Sequence, residues 1–287
     1  MLKIRKVQFH NHPILADLIL DFCSPDGKAC DTVILAGENG TGKSTVLNAL
    51  YQLMSRSEEA DVEAEIEFEN DNQIEEIEYY RKEVNGRNYI HFRSETKTSR
   101  LLISKANEAD FPTQAIFSDV DINFHSQPTS TVKSNQLDQD GNSRKSTTSI
   151  ADEINQLLID VAAQDDAEIS YLVQNNPEKP FANMGYTSRM KRFTEAFNFM
   201  FGDLHYSRIE NRNNRKMIVF CKNGVEIPIE SLSSGEKQIV YRGCFLLRDS
   251  NALKNAFVFI DEPEISLHPL WQQKIFSSYH VLLFFRM

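Results

Sequence analysis

The chain has 287 residues, 41% apolar and 25% charged, which is the balance of an ordinary globular protein and excludes collagen-like and wholly disordered classes. Its formal net charge of −10 excludes a uniformly basic nucleic-acid coat. No apolar run reaches the ~18 residues that a membrane-crossing helix needs, and the opening MLKIRKVQFHNHP is too polar for a signal peptide. These features predict a cytoplasmic protein.

The first 36 residues read as strands. Residues 14–22 alternate, with Ile14, Ala16, Leu18, Leu20 and Phe22 on one face. Pro25-Asp26-Gly27 signals a turn, and Thr32–Ala36 is a short apolar run expected to be a buried strand. A helix is expected from Ser44 to Met54, with Val46, Leu47, Leu50 and Met54 on one face. Residues 58–83 are strongly acidic. Within them Val62, Ala64, Ile66 and Phe68 alternate with acids, as in a strand with one solvated face. Asn85-Gly86 signals a hairpin, and residues 115–124 read as another strand.

Residues 126–149 are polar and without periodicity, as in a loop or linker. Ser149 and Asp152 resemble a capping box opening a helix whose Ile150, Ile154, Leu157, Leu158 and Val161 share a face. A second helix, Ser188–Met200, turns Met190, Phe193, Phe197 and Met200 to one side. Strands return at Met217–Cys221 and Val225–Ile229 around Asn223-Gly224, followed by a helix start at Ser231–Gly235 and the apolar run Ala256–Ile260. The expected organisation is therefore an N-terminal lobe (1–125), a loop and helical insertion (126–203) and a C-terminal lobe (204–287).

The four cysteines form no CxxC pair and no zinc spacing, so reduced thiols are expected. His10 and His12 could share a strand face, but no carboxylate or cysteine close in sequence completes a metal site.

Three motifs carry chemistry. Gly37-Glu38-Asn39-Gly40-Thr41-Gly42-Lys43-Ser44, followed by Thr45, matches G-x-x-x-x-G-K-[ST] at every fixed position. Glycines let backbone N–H groups turn inward around phosphate oxygens, and the following helix adds its positive end. Lys43 is expected to reach the β- and γ-phosphates of a nucleotide, and the Ser44 hydroxyl to bind Mg²⁺. Second, Phe257–Ile260 reads as a central parallel strand ending in Asp261-Glu262. Asp261 is the expected Mg²⁺ ligand, and Glu262 the general base for the attacking water. Third, Leu232-Ser233-Ser234-Gly235-Glu236-Lys237-Gln238 precedes an apolar helix, which Ser233 or Ser234 could simply cap.

Together the three motifs resemble the ATP-binding-cassette (ABC) ATPases. That resemblance implies an α/β P-loop NTPase of ABC-head type, with a mixed central sheet, an antiparallel β-subdomain and a short helical insertion. It implies that Ser233, Ser234, Gly235 and Glu236 contact the γ-phosphate held by the other protomer of a homodimer, with two ATP molecules sandwiched. Pro263–Pro269 is similar to the D-loop of the soluble RecF/SMC group, which includes overcoming-lysogenization-defect and Septu-like anti-phage ATPases. Ser266 and His268 are its D-loop residues here. The resemblance further implies ATP and Mg²⁺ as cofactors, a DNA-linked role in repair or anti-phage defence, and a nuclease-type effector in trans. A nucleotide-gated module with little hydrolysis is the alternative, and a transporter subunit the weaker one. Arg189, Lys191, Arg192, Arg208, Arg212, Arg215 and Lys216 are candidate DNA contacts.

The sequence departs from that group in places. The nearest Q-loop glutamine is Gln127, with Ser118, Asp119 or Asp121 as alternatives. His280 follows Glu262 too closely, and lacks the Thr-His-Ser context, to be the switch histidine. The apolar ending Tyr279–Met287 reads as a truncated end or as a last buried strand.

Overall fold

The computed structural model describes residues 2–55, 57, 60–70, 73–82, 86–93, 98–102, 114–118, 142–144, 150–181, 184, 186, 188–212, 215–247, 256–264 and 267–283. The chain divides into two compact units. The first comprises 1–117, 141–143 and 255–259, and the second comprises 118–140, 144–254 and 260–287.

In the first unit, β1 (Lys3–His10) and β2 (Ile19–Asp21) open a six-stranded sheet. It continues through β3 (Glu63–Asn70), β4 (Gln73–Lys82), β5 (Arg87–Arg93) and β6 (Thr98–Leu102) in the order β2-β1-β3-β4-β5-β6. All five pairings between neighbouring strands are antiparallel. The alternation expected around Val62–Phe68 holds: Ala64, Ile66 and Phe68 are buried while Glu65 between them is exposed. Each such apolar side chain contributes about 1.5–3 kcal/mol by leaving water. The β4–β5 hairpin forms where Asn85-Gly86 signalled it, although Asn85 lies outside the described residues. One helix, α1 (Lys43–Met54), packs Val46, Ala49, Leu50, Leu53 and Met54 into the core with Val7, Phe9 and Phe68. Leu47 is only partly buried.

Two expectations fail here. Residues 14–22 are not one alternating strand. His12 and Ala16 close a loop through mutual backbone hydrogen bonds, and Ala16 takes a left-handed φ of 51°. That turn inverts the alternation at its own positions, so Ile14 is 69% exposed and Leu15 is buried, whereas Leu18, Leu20 and Phe22 keep the expected inward face. Thr32–Ala36 is not a strand, and its Val33 and Ile34 are 45% and 58% exposed. An apolar run becomes a strand only when a neighbour pairs with it, and none does so among the described residues.

A further sheet runs β12-β7-β8, from β7 (Gln114–Ser118), β8 (Asn142–Arg144) and β12 (Ala256–Ile260). Among the described residues β12 therefore ends the order instead of standing at its centre, and most of its residues are only half-buried. Residues 119–124 of the expected strand lie outside the described set, as does Ser149 of the capping box. β8 lies in the stretch expected to lack regular structure.

The second unit contains α2 (Ile150–Asn175), α3 (Arg189–Met200), α4 (Ser234–Leu246), α5 (Pro269–Leu283) and an antiparallel sheet. That sheet runs β11-β10-β9, from β9 (Leu204–Arg212), β10 (Arg215–Lys222) and β11 (Val225–Pro228). Asn223 and Gly224, with φ of 51° and 78°, make the β10–β11 turn, as their sequence predicted. Phe197 is the hub of the packing, with ring centroids 5.5, 4.7 and 5.4 Å from Phe193, Phe201 and Phe220. Phe201 meets Trp271 of α5 edge-on at 4.9 Å. Asp165, buried on α2, accepts hydrogen bonds from the Arg189 and Met190 amides at 3.1 and 2.8 Å, capping α3 from a distance. The segment Tyr279–Leu283 is helical, which corrects the expectation of a last buried strand. A short apolar run has the same composition in either form, and Pro269 at the first helical position favours the helix.

Candidate nucleotide-binding site

The glycine-rich segment leads into α1 through Gly42, whose φ of 91° is open to glycine at little cost. Gly40 is also left-handed, at φ 82°. Thr41 Oγ1 donates to the Glu38 carbonyl at 2.8 Å, tying the turn across its base. The Lys43 ammonium folds back and donates to the carbonyls of Gly37 and Glu38 at 2.7 and 2.8 Å. Asn39 and Ser44 are exposed, Thr45 is half-buried, and Ser44 O accepts from Asn48 Nδ2 at 2.8 Å. No side chain caps α1, and its first turn carries no acid. The first amides of that helix therefore present unsatisfied donors beside a lysine, a setting that fits the phosphates of a nucleotide.

The acids expected to carry Mg²⁺ and base chemistry lie where β12 ends. Asp261 is 5% exposed, and its amide donates to the Ser118 carbonyl at 2.9 Å. Glu262 is half-buried with φ 41°, a left-handed conformation uncommon for a residue with a Cβ. His268 is exposed and caps α5: its carbonyl accepts from the Trp271 and Gln272 amides at 2.8 and 3.1 Å. Ser266, the other D-loop residue, lies outside the described residues, as do Gln127, Asp119 and Asp121.

At the start of α4, Ser233 and Glu236 cap each other. The Ser233 amide donates to Glu236 Oε2 at 2.7 Å, and the Glu236 amide to Ser233 Oγ at 3.3 Å. Glu236 is 3% exposed and also accepts from Lys222 Nζ at 2.6 Å. Burial pushes its carboxyl up, but the Lys222 and Ser233 hydrogen bonds outweigh burial and hold it below its ordinary value. Ser234 and Gly235 form the first turn of α4.

Two of the candidate DNA contacts are taken up by partners within the chain. Arg189 is 4% exposed, with Glu168 at 3.7 Å, which removes it from any surface role. Arg208 is paired with Glu226 and with Glu210, the latter at 2.7 Å. Lys191 and Lys216 are exposed, and Arg192 is half-buried. Arg212 and Arg215 face each other in register across β9 and β10, and their side chains lie outside the described set. His10 and His12 do not share a site. His10 stands 3.3 Å from Glu65, while His12 Nδ1 accepts from the Ile14 and Leu15 amides.

Nothing in the sequence reading singled out Arg242 of α4, 1% exposed. Its signal was a lone cation within the apolar run Ile239–Leu247.

A lysine-bearing glycine turn that opens an uncapped helix, in a mixed α/β protein, defines the P-loop NTPases. The chain belongs to the family described as "AAA domain, putative AbiEii toxin, Type IV TA system", which matches residues 33–282. It is thus an ATP-binding protein and a P-loop ATPase. The SMC head domain from Thermotoga maritima is similar at 11% identity, over 98% of this chain and 84% of that one, with a TM-score of 0.47. No curated protein matches the chain. No helix among the described residues is long and apolar enough to cross a membrane.

Proposed function

We propose that this chain is the ATP-switched head of a two-protomer machine acting in a DNA-linked process, anti-phage defence or repair, in which it gates an effector protein of nuclease type. The observation that carries the reading is the P-loop itself: Lys43 beside the uncapped start of α1. Gly37–Thr45 cradles the phosphates of ATP. Ser44 and Asp261 would hold Mg²⁺, which would supply charge neutralisation at the phosphates, and Glu262 would take the proton of the attacking water. Ser233, Ser234, Gly235 and Glu236 engage the nucleotide of the second protomer, and Ser266 and His268 lie at that interface. ATP closes the homodimer and hydrolysis reopens it. The insertion 126–203 lies between the two catalytic lobes in sequence. Lys191 and Arg192 within it, and Arg212, Arg215 and Lys216 after it, are the remaining DNA-contact candidates.

Steady-state ATP hydrolysis across a protein concentration series tests the reading, with Glu262→Gln and Ser233→Arg alongside. Specific activity should rise with concentration and fall to a small residual in both variants. Activity independent of concentration would end the composite-site reading. Nucleotide binding without turnover in the unmodified chain would leave a nucleotide-gated interaction module instead.

A further inference from the structure

Arg242 is the largest fully buried side chain of the described residues, and it lies on α4, the helix that begins at Ser233-Ser234-Gly235. A buried guanidinium is costly unless its donors are met. Arg242 meets those of its two Nη atoms on the segment that carries the acids, while its buried Nε has no partner among the described residues. Nη1 donates to the Asp261 carbonyl at 2.9 Å and, more weakly at 3.5 Å, to Ser118 Oγ, while Nη2 donates to the Glu262 carbonyl at 3.3 Å. The Ser118 carbonyl in turn accepts from the Asp261 amide. The Asp261 amide and carbonyl are thereby both held, one by Ser118 and one by Arg242 of α4.

The consequence falls on Glu262. Its φ of 41° is a left-handed conformation, unfavourable for a residue with a Cβ. Such a conformation persists only where the surroundings over-determine it. The forked guanidinium on two successive carbonyls is the surrounding group that does so, because a planar fork fixes both the spacing and the direction of the acceptors it holds. A lysine at the same place offers one point charge and no fork.

We infer that Arg242 is a positioning residue: it holds the Glu262 backbone in its left-handed turn, so that the carboxylate is set for water activation, and it ties that setting to the helix whose first turn is the signature. This rests on the reading of Glu262 as general base. Arg242 acts here on the backbone and not on a ligand. Its effect passes through the peptide carbonyls of Asp261 and Glu262 alone. A shift of α4 at its signature end therefore reaches the acids of the same chain without a contact to the P-loop.

The test compares the full chain with Arg242→Lys, Arg242→Gln, Glu262→Gln and the double variant Arg242→Gln/Glu262→Gln. Nucleotide affinity is read with a fluorescent ATP analogue, kcat and KM with unlabelled ATP, and folding by thermal melting. Arg242→Lys and Arg242→Gln should lower kcat about 10- to 100-fold, the scale of a misplaced catalytic group, while KM and analogue affinity stay within about two-fold. In the Glu262→Gln background, Arg242→Gln should lower the residual rate no further, because it acts only through Glu262. Unchanged kcat in Arg242→Lys beside an inactive Glu262→Gln would overturn the positioning role alone. An active Glu262→Gln would overturn the base reading on which it rests. Equal, additive losses in both backgrounds, or loss of cooperative melting even in Arg242→Lys, would make Arg242 a residue of the fold and overturn the inference.

Discussion

Ser233 and Glu236 cap the same helix from opposite directions, each accepting the other's backbone amide, at 2.7 and 3.3 Å. Two donors that α4 would otherwise leave unmet are satisfied by the residues that the ABC resemblance assigns to the nucleotide. The helix start is thus rigid before any ligand arrives, and Lys222 anchors it to β10 through Glu236.

That arrangement has a pH signature. The folded Glu236 carboxyl lies below its ordinary value, whereas the unfolded one titrates near ~4.3. A depressed carboxylate stabilises the fold fully above the unfolded value, and the stabilisation is lost as pH falls through the folded one. Denaturant unfolding between about pH 5 and 2 should therefore show a shallower acid loss in Glu236→Gln than in the unmodified chain. Identical slopes would remove Glu236 from the account.

Ser233→Ala should cost about 1 kcal/mol in the same denaturation measurement, the ordinary worth of an N-cap side chain. The loss should appear in the absence of nucleotide, since the hydrogen bond exists within the chain. A neutral substitution would mean that Glu236 caps the helix alone.

Lys43→Ala should leave folding stability within about 1.5 kcal/mol, because its bonds to the Gly37 and Glu38 carbonyls are made at an incompletely buried site. Hydrolysis should fall by about 100-fold or more, the effect of removing a cation aimed at developing phosphate charge. A variant that turns over normally would disconnect the loop from the chemistry.

Gly42→Ala should destabilise the first unit by about 1–2 kcal/mol, since φ 91° is unfavourable for any residue with a Cβ. The new methyl would also meet Leu15 Cδ2 at 3.4 Å, an ordinary contact, so strain and not collision sets the loss. Gly202, with no positive φ and open space around it, serves as the control and should tolerate alanine.

Asp165→Ala removes the acceptor shared by the Arg189 and Met190 amides and the Tyr186 hydroxyl. Leaving these donors unmet should cost about 2–4 kcal/mol in urea unfolding. Asp165→Asn, which keeps one acceptor oxygen, should recover part of that.

What the sequence determined alone were the features whose cause is local. The glycines of the P-loop, the α1 span, the alternation of β3 and the Asn223-Gly224 turn each follow from backbone preference or from side-chain period within a few residues. Features that depend on a distant partner were decided by the tertiary structure. Thr32–Ala36 has a strand's composition and no neighbour to pair with among the described residues. Ile14 and Leu15 exchanged places because Ala16 turned left-handed in a loop closed by His12. Arg189 reads as a surface cation, yet the α2–α3 packing buries it against Glu168. Arg242 reads as an interruption in an apolar helix until Asp261 and Glu262, far along the chain, bring their carbonyls to it. A charge can be read from sequence, but its burial and its acceptors are set by residues that only folding brings near.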